Sequence, residues 1–253
     1  QEMPGRFFME GIAEGYLIGM ASGLALEGRI VYVNTISTFI TRRCYEQLAV
    51  DACLHRLNLR LIGNGGGMVY APLGPTHMAI EDISIMRAIP HMTVVAPADA
   101  DEMRRLMPQT LEYPGPIYIR VAKGYDPIVT RADVPFAIGK ALPMRHGTDA
   151  LFVSTGITLK VAIDAAEQLA GGGISAGILH VPTVKPIDAE QILDVAAPVK
   201  AIVTIEENSI IGGLGSAVAE IVAEAGFEHS KKFKRLGIPD VFPENYGSQA
   251  KLM

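Results

Sequence analysis

The chain has no tryptophan, and aromatic residues make up only 6% of it, which argues against an aromatic-rich binding surface. It has two cysteines, Cys44 and Cys53. Their spacing suits no metal site, and two residues cannot make a disulfide framework. Both fall in an apolar helical pattern and are expected to be buried free thiols, as in a reducing cytosol. Charged residues are 19% of the chain, the net charge is −5, and no long run of one sign occurs. That balance points away from nucleic acid and from anionic membranes as partners. No apolar stretch is long and uninterrupted enough to span a bilayer, and no signal peptide is apparent, so a cytoplasmic location is expected.

What is present is core-forming. Hydrophobic residues make up 49% of 253, enough for a substantial core in one or two domains. Glycine, at 26 residues, predicts many tight strand–helix turns. A β-branched run at 29–35 predicts a buried strand. Ser37 and Thr38 can cap a helix running from 39 to 57. A strand at 59–63 leads into Asn64-Gly65-Gly66-Gly67, a loop where glycine permits positive φ and close approach to a ligand. A helix at 79–87, a strand at 91–97, a helix at 99–112 and a strand at 116–121 follow.

Residues 124–145, with Pro127, Pro135 and Pro143, change character and predict a linker. Alternation then resumes. Strands are predicted at 150–156, 176–181 and 200–206, and helices at 158–173, after Asp188, and at 212–225. This pattern predicts an α/β fold with two domains, each a largely parallel sheet flanked by helices. The expected boundaries are 1–124, a linker at 125–145, and 146–253. The cluster Gly212-Gly213-Leu214-Gly215-Ser216 lacks the Gly-Lys-Ser/Thr of a phosphate loop, so a structural turn is expected there rather than a phosphate cradle.

One carboxylate stands out. From Ile12 onward the opening segment reads as a mostly buried helix, rich in small residues and apolar on every face, yet it carries Glu14. An acid among apolar side chains is a candidate for proton transfer. The plainer alternative is a first-turn acid that favours the helix dipole.

Gly11-Ile12-Ala13-Glu14, followed by a small-residue helix ending in Gly23-Leu24-Ala25, resembles the pyrimidine-binding domain of transketolases and 1-deoxyxylulose-5-phosphate synthases. The resemblance continues almost to the C-terminus. It implies thiamine diphosphate as cofactor, with Glu14 beside the aminopyrimidine ring and Phe39 of Ser37-Thr38-Phe39 as the ring's aromatic wall. Arg42 and Tyr45, three and six residues further on, match positions that line the pyrimidine pocket in parts of the family. His77 of Gly74-Pro75-Thr76-His77 matches the histidine that faces the reacting end of the substrate, and Arg120 an arginine that binds a substrate anion. The plainer readings are a core phenylalanine, a structural histidine and a surface ion pair at Arg120.

The departures matter equally. Transketolases usually carry an aspartate four residues before that histidine, where this chain has Leu73. A histidine common in the region of Gly65 is also replaced. The resemblance therefore implies an altered sugar pocket. Members of the family usually carry a strand and a helix before the Arg6-Phe7-Phe8 segment, which here stands almost first, so the pyrimidine-binding domain is expected to lack its first strand and helix in this sequence. The family's Gly-Asp-Gly segment, which holds the diphosphate and a Mg2+ or Ca2+ ion, does not occur. No metal-ligating residue is therefore assigned in this chain. The resemblance implies the C-terminal subunit of a split transketolase, paired with an N-terminal, diphosphate-binding subunit in a heterotetramer and acting on sugar phosphates or similar anionic sugars. In the family the C-terminal domain supports dimerisation away from the reaction. The alternatives are a subunit of a 1-deoxyxylulose-5-phosphate synthase-like carboligase and a catalytically silent structural partner.

Overall fold

The structure, a computed structural model, describes residues 3–122, 124–131 and 133–253. Two five-stranded sheets organise it. In the first sheet β1 (Val31–Ile36), β2 (Leu59–Asn64), β3 (Thr93–Val95) and β4 (Ile117–Val121) lie in the order β1-β2-β4-β3 and are parallel throughout. The second sheet uses β5 (Leu142–Arg145), β6 (Ala150–Ser154), β7 (Ala176–His180), β9 (Ala201–Ser209) and β10 (Lys232–Ile238) in the order β10-β9-β6-β7-β5, with β5 antiparallel at one edge. The short β8 (Thr183–Lys185) follows β7 in sequence but joins the first sheet, antiparallel to β3. The largely parallel α/β architecture read from the alternation is the one the chain adopts.

The helices are α1 (Glu14–Leu26), α2 (Ser37–Arg42), α3 (Tyr45–Gln47), α4 (Asp82–Ala88), α5 (Ala100–Glu112), α6 (Thr158–Gly171), α7 (Ala189–Ala196), α8 (Leu214–Glu224) and α9 (Gln249–Leu252). Asp99 and Asp188 cap α5 and α7 by accepting from the Glu102 and Gln191 amides. The strands β5, β8 and β10 carry weak signals: β5 lies in the proline-bearing stretch, β8 has three residues, and β10 is largely exposed and basic.

Two expectations change. The opening helix buries only one face, through Ile18, Ala21, Ser22 and Ala25, while Tyr16 is exposed and Ile12, ahead of the helix, is 90% exposed. A sequence apolar all round cannot say which face meets this chain's own sheet. The helix expected over 39–57 is also interrupted. It breaks at Cys44, whose backbone is non-helical (φ −126°, ψ 25°), and resumes as α3 and a π-helical turn at Leu48–Cys53. Both thiols are free and buried, and burial pushes each up to about 12.

Arg60 on β2 is fully buried, a placement that needs every charge-bearing edge paired. Its guanidinium donates to the carbonyls of Thr110, Tyr113 and Gly115 at 2.6, 2.6 and 2.5 Å, closing the C-terminal end of α5.

Candidate active site

Of the sequence-selected residues, Glu14, Phe39, Arg42 and His77 lie along α1 and α2 and in the loop before α4, while Tyr45 opens α3 and Arg120 is on β4. Glu14 is the first residue of α1, so the first-turn reading is correct as geometry, and it is nevertheless only 8% exposed. Its carboxylate meets Arg43, whose Nη1 lies 3.3 and 3.2 Å from the two oxygens. The same guanidinium sits over the face of Phe39, 3.9 Å from the ring centroid. On its other flank Phe39 meets His77 edge-on, with centroids 5.2 Å apart and planes at 68°.

Glu14, Phe39 and His77 are thus drawn together, and Arg43 is the residue that sequence reasoning missed. Its spacing held a signal, because Arg43 follows Phe39 by four residues and such pairs meet on a helix. Thr38 also departs from expectation. It makes no helix-capping bond; its hydroxyl instead donates to the His77 carbonyl at 2.9 Å and ties α2 to the histidine loop. The Thr76 hydroxyl lies 2.9 Å from His77 Nδ1, which leaves Nε2 without a hydrogen-bond partner among the described residues.

Arg42 and Tyr45 do not share a helix face, because the chain breaks between them. Arg42 turns to Glu81 as a two-pronged ion pair, with Nη2 2.8 Å from Oε2, and also donates to the Met78 carbonyl at 3.1 Å. Tyr45 stands exposed at the rim. Arg120 is buried. Its Nε pairs with Asp82 at 2.9 Å, and its Nη2 donates to the Glu207 and Ala79 carbonyls at 2.6 and 3.3 Å. Burial works against its charge, but Asp82 and then Glu207 outweigh it and hold the guanidinium protonated. This pair is interior, not on the surface as the plainer reading had it.

The glycine loop is packed by the protein's own side chains. A Cβ on Gly65, Gly66 or Gly67 would collide with the Tyr70 ring, the Arg120 side chain or the Glu207 carboxyl group respectively. Gly65 and Gly67 also have positive φ, 70° and 64°, so backbone conformation and the close approach of neighbouring side chains both call for glycine there. Leu73, at the end of a short turn (Ala71–Leu73), is 52% exposed, so the apolar side chain noted in the sequence is open to solvent. The later glycine cluster is structural as well. The Glu206 carboxylate accepts from the Leu214 and Gly215 amides at 2.7 and 2.8 Å and fills the α8 N-terminus where a phosphate would sit. Among the described residues no group of three or more His, Cys, Asp or Glu side chains is placed to hold a metal ion. No helix of the described residues is long and apolar enough to cross a membrane.

Comparison with known proteins agrees along the whole chain. Residues 1–125 match the transketolase pyrimidine-binding domain and residues 139–252 the transketolase C-terminal domain. A 6-deoxy-6-sulfo-D-fructose transketolase subunit of Clostridium sp. (strain MSTE9) is 41% identical over 244 residues, which is 96% of this chain and 75% of that protein. One of the subunits of an apulose-4-phosphate transketolase from Actinobacillus succinogenes is 36% identical over 95% of this chain and 76% of its own length. The 1-deoxy-D-xylulose-5-phosphate synthase 1 of Geobacter sulfurreducens is 39% identical over 100% of this chain but only 39% of itself. Among solved structures, a split gene transketolase described as an inactive beta4 tetramer matches with a TM-score of 0.88 at 38% identity, over 96% of this chain and 77% of that one. With both halves matched at this level, the chain belongs to the transketolase family and carries its pyrimidine-binding and C-terminal domains.

Proposed function

We propose that this chain is the C-terminal subunit of a split, thiamine diphosphate-dependent transketolase that moves a two-carbon ketol unit between anionic sugars. A separate chain holds the diphosphate and its Mg2+ or Ca2+ ion. The observation that carries the reading is the guanidinium of Arg43, stacked 3.9 Å from the centre of Phe39 and bonded to Glu14. A flat, nitrogen-bearing group therefore fits between those two side chains, and a pyrimidine ring has that shape and those nitrogens. When bound, thiamine diphosphate supplies a carbon nucleophile that takes up and releases the ketol unit.

The residues divide the remaining work. Glu14 would hold the cofactor's ring nitrogen by a hydrogen bond at its carboxylate oxygens. Phe39 offers a face worth roughly 0.5–1.5 kcal/mol beyond simple burial. His77 presents Nε2 to the substrate oxygen on which negative charge develops. Tyr45 closes the rim. Arg42, spent on Glu81 and Met78, shapes the pocket wall, and Arg120 supports the loop beneath His77. In this reading the pyrimidine-binding domain is 1–124, the linker 125–145 and the C-terminal domain 146–253. Assembly as a heterotetramer, two pairs about a two-fold axis, follows from the symmetry of such enzymes. Exposed Leu73 and the relationship to sulfo-sugar and apulose-phosphate subunits favour a substrate other than the usual ketose phosphates.

The test uses this chain purified with a Gly-Asp-Gly-bearing partner subunit. Ketol transfer is measured across phosphorylated and sulfonated ketoses. Glu14→Gln is expected to lower turnover by about 100-fold or more with the melting temperature unchanged. Full activity in the variant would remove Glu14 from the reaction. The relationship to 1-deoxyxylulose-5-phosphate synthases favours a second reading, carboligation of pyruvate with an aldehyde, and the same preparation supplied with pyruvate decides between them.

A further inference from the structure

The loop that carries His77 has little structure of its own. Between β2 and α4 it is a series of turns, held by bonds such as His77 N–H to the Gly74 carbonyl at 3.1 Å. Its ends are tied to each other by Gly67 and Ala79, which exchange N–H···O bonds of 2.9 and 3.0 Å. From the first half of the chain it is held by Thr38, Arg42 and Arg120, which bond to the His77, Met78 and Ala79 carbonyls. A second set of contacts comes from the second half. The Glu207 carboxylate on β9 accepts from the Met68 amide at 2.9 Å, and the Ser209 amide donates to the Ile80 carbonyl at 2.5 Å. Gln249 on α9 donates its side-chain amide to the same Glu207 oxygen at 2.6 Å. Leu252 packs on a small core of Met68, Ala71, Met78, Ile80 and Ile238. Tyr246 lies on Gly74, where an added Cβ would come within 2.7 Å of its ring.

We infer that Glu207 and the segment 246–252 form a positioning element for the His77 loop. The second domain thereby contributes to the active site without touching substrate. The physical reason is entropic. A loop of turns has many conformations of similar energy, and contacts at its base, underside and tip select one of them. Glu207 is central because one carboxylate receives both the loop amide and the α9 side chain. Burial pushes this carboxyl up, so these donors and Arg120 decide how it is held. What the positioned histidine does rests on the proposed function; that the loop is held does not.

The test has two arms. In the first, amide hydrogen exchange of residues 66–80 is followed in the purified chain for Gln249→Ala, Tyr246→Ala and Tyr246→Phe. Exchange is expected to rise at least tenfold in both alanine variants with the melting temperature within about 2 °C of the parent, and to return towards the parent in Tyr246→Phe, which keeps the ring on Gly74. In the second, the complex with its partner subunit is assayed. The alanine variants are expected to lose kcat several-fold, with cofactor affinity by calorimetry unchanged. Unchanged exchange in 66–80 would overturn the inference, as would exchange raised evenly through the molecule, because the segment would then hold the fold rather than the loop. A loosened loop with undiminished ketol transfer would uphold the positioning and instead count against the reactive role of His77.

Discussion

At the scale of single residues, the arrangement turns on one arginine. Arg43 bonds to the acid and covers the aromatic face that the cofactor is proposed to need. A cofactor ring taking up that space, as proposed, would displace it. The side chain is 47% exposed, so losing it costs the fold little; a cation over an exposed ring is worth about 0.5–1 kcal/mol. Arg43→Ala is therefore expected to leave the melting temperature nearly unchanged and to tighten thiamine diphosphate binding in the assembled complex by about fivefold, the factor that corresponds to about 1 kcal/mol. Calorimetric titration measures this. Weaker binding in the variant would mean that Arg43 holds the ring rather than its place. Glu14, Phe39 and His77 were legible in the sequence because each sits in a short motif of distinctive neighbours. Arg43 was not, since its role exists only where the start of α1 meets the end of α2.

At the scale of elements, two buried carboxylates side by side on β9 do different jobs. Glu206 caps α8, and Glu207 anchors the histidine loop. Burial pushes Glu206 up to about 7 despite the two amides it accepts from. The unfolded carboxyl titrates near its ordinary value of 4.5, so between there and about pH 7 the folded state binds the extra proton. Stability then falls as pH rises through that window. The parent is expected to lose melting temperature between about pH 5 and 7 more steeply than Glu206→Gln, in which this proton is gone. Parallel slopes in thermal scans would show that Glu206 does not titrate there. Burial pushes Glu207 in the same direction, so part of the slope remains in the variant. The strand and helix periods around these residues were readable from sequence. The break at Cys44 was not, because the apolar pattern runs through it unbroken and only the packing of α2 and α3 reveals it.

At the scale of the whole molecule, the two sheets are not independent. β8 leaves the second half to complete the first sheet, and Arg120 on β4 donates to a carbonyl of β9. The chain offers an acid and an aromatic face, but the glycine cluster that opens α8 is already occupied by Glu206. The isolated chain is accordingly expected to show no saturable binding of thiamine diphosphate with Mg2+ by calorimetry, and binding is expected to appear when the Gly-Asp-Gly subunit is added. Saturable binding to this chain alone would place the diphosphate site within it and undo the split reading.

The sequence by itself determined the alternation of strands and helices, hence the fold class, and the short motifs around Glu14, Phe39 and His77. Both are local in the chain, written in side-chain period and in neighbours a few residues apart. Only the tertiary structure decided which face of α1 is buried, that three successive glycines make room for Tyr70, Arg120 and Glu207, and that Arg120 is a buried strut. Those outcomes depend on contacts between residues distant in sequence, and neither composition nor periodicity carries a record of who meets whom across a fold.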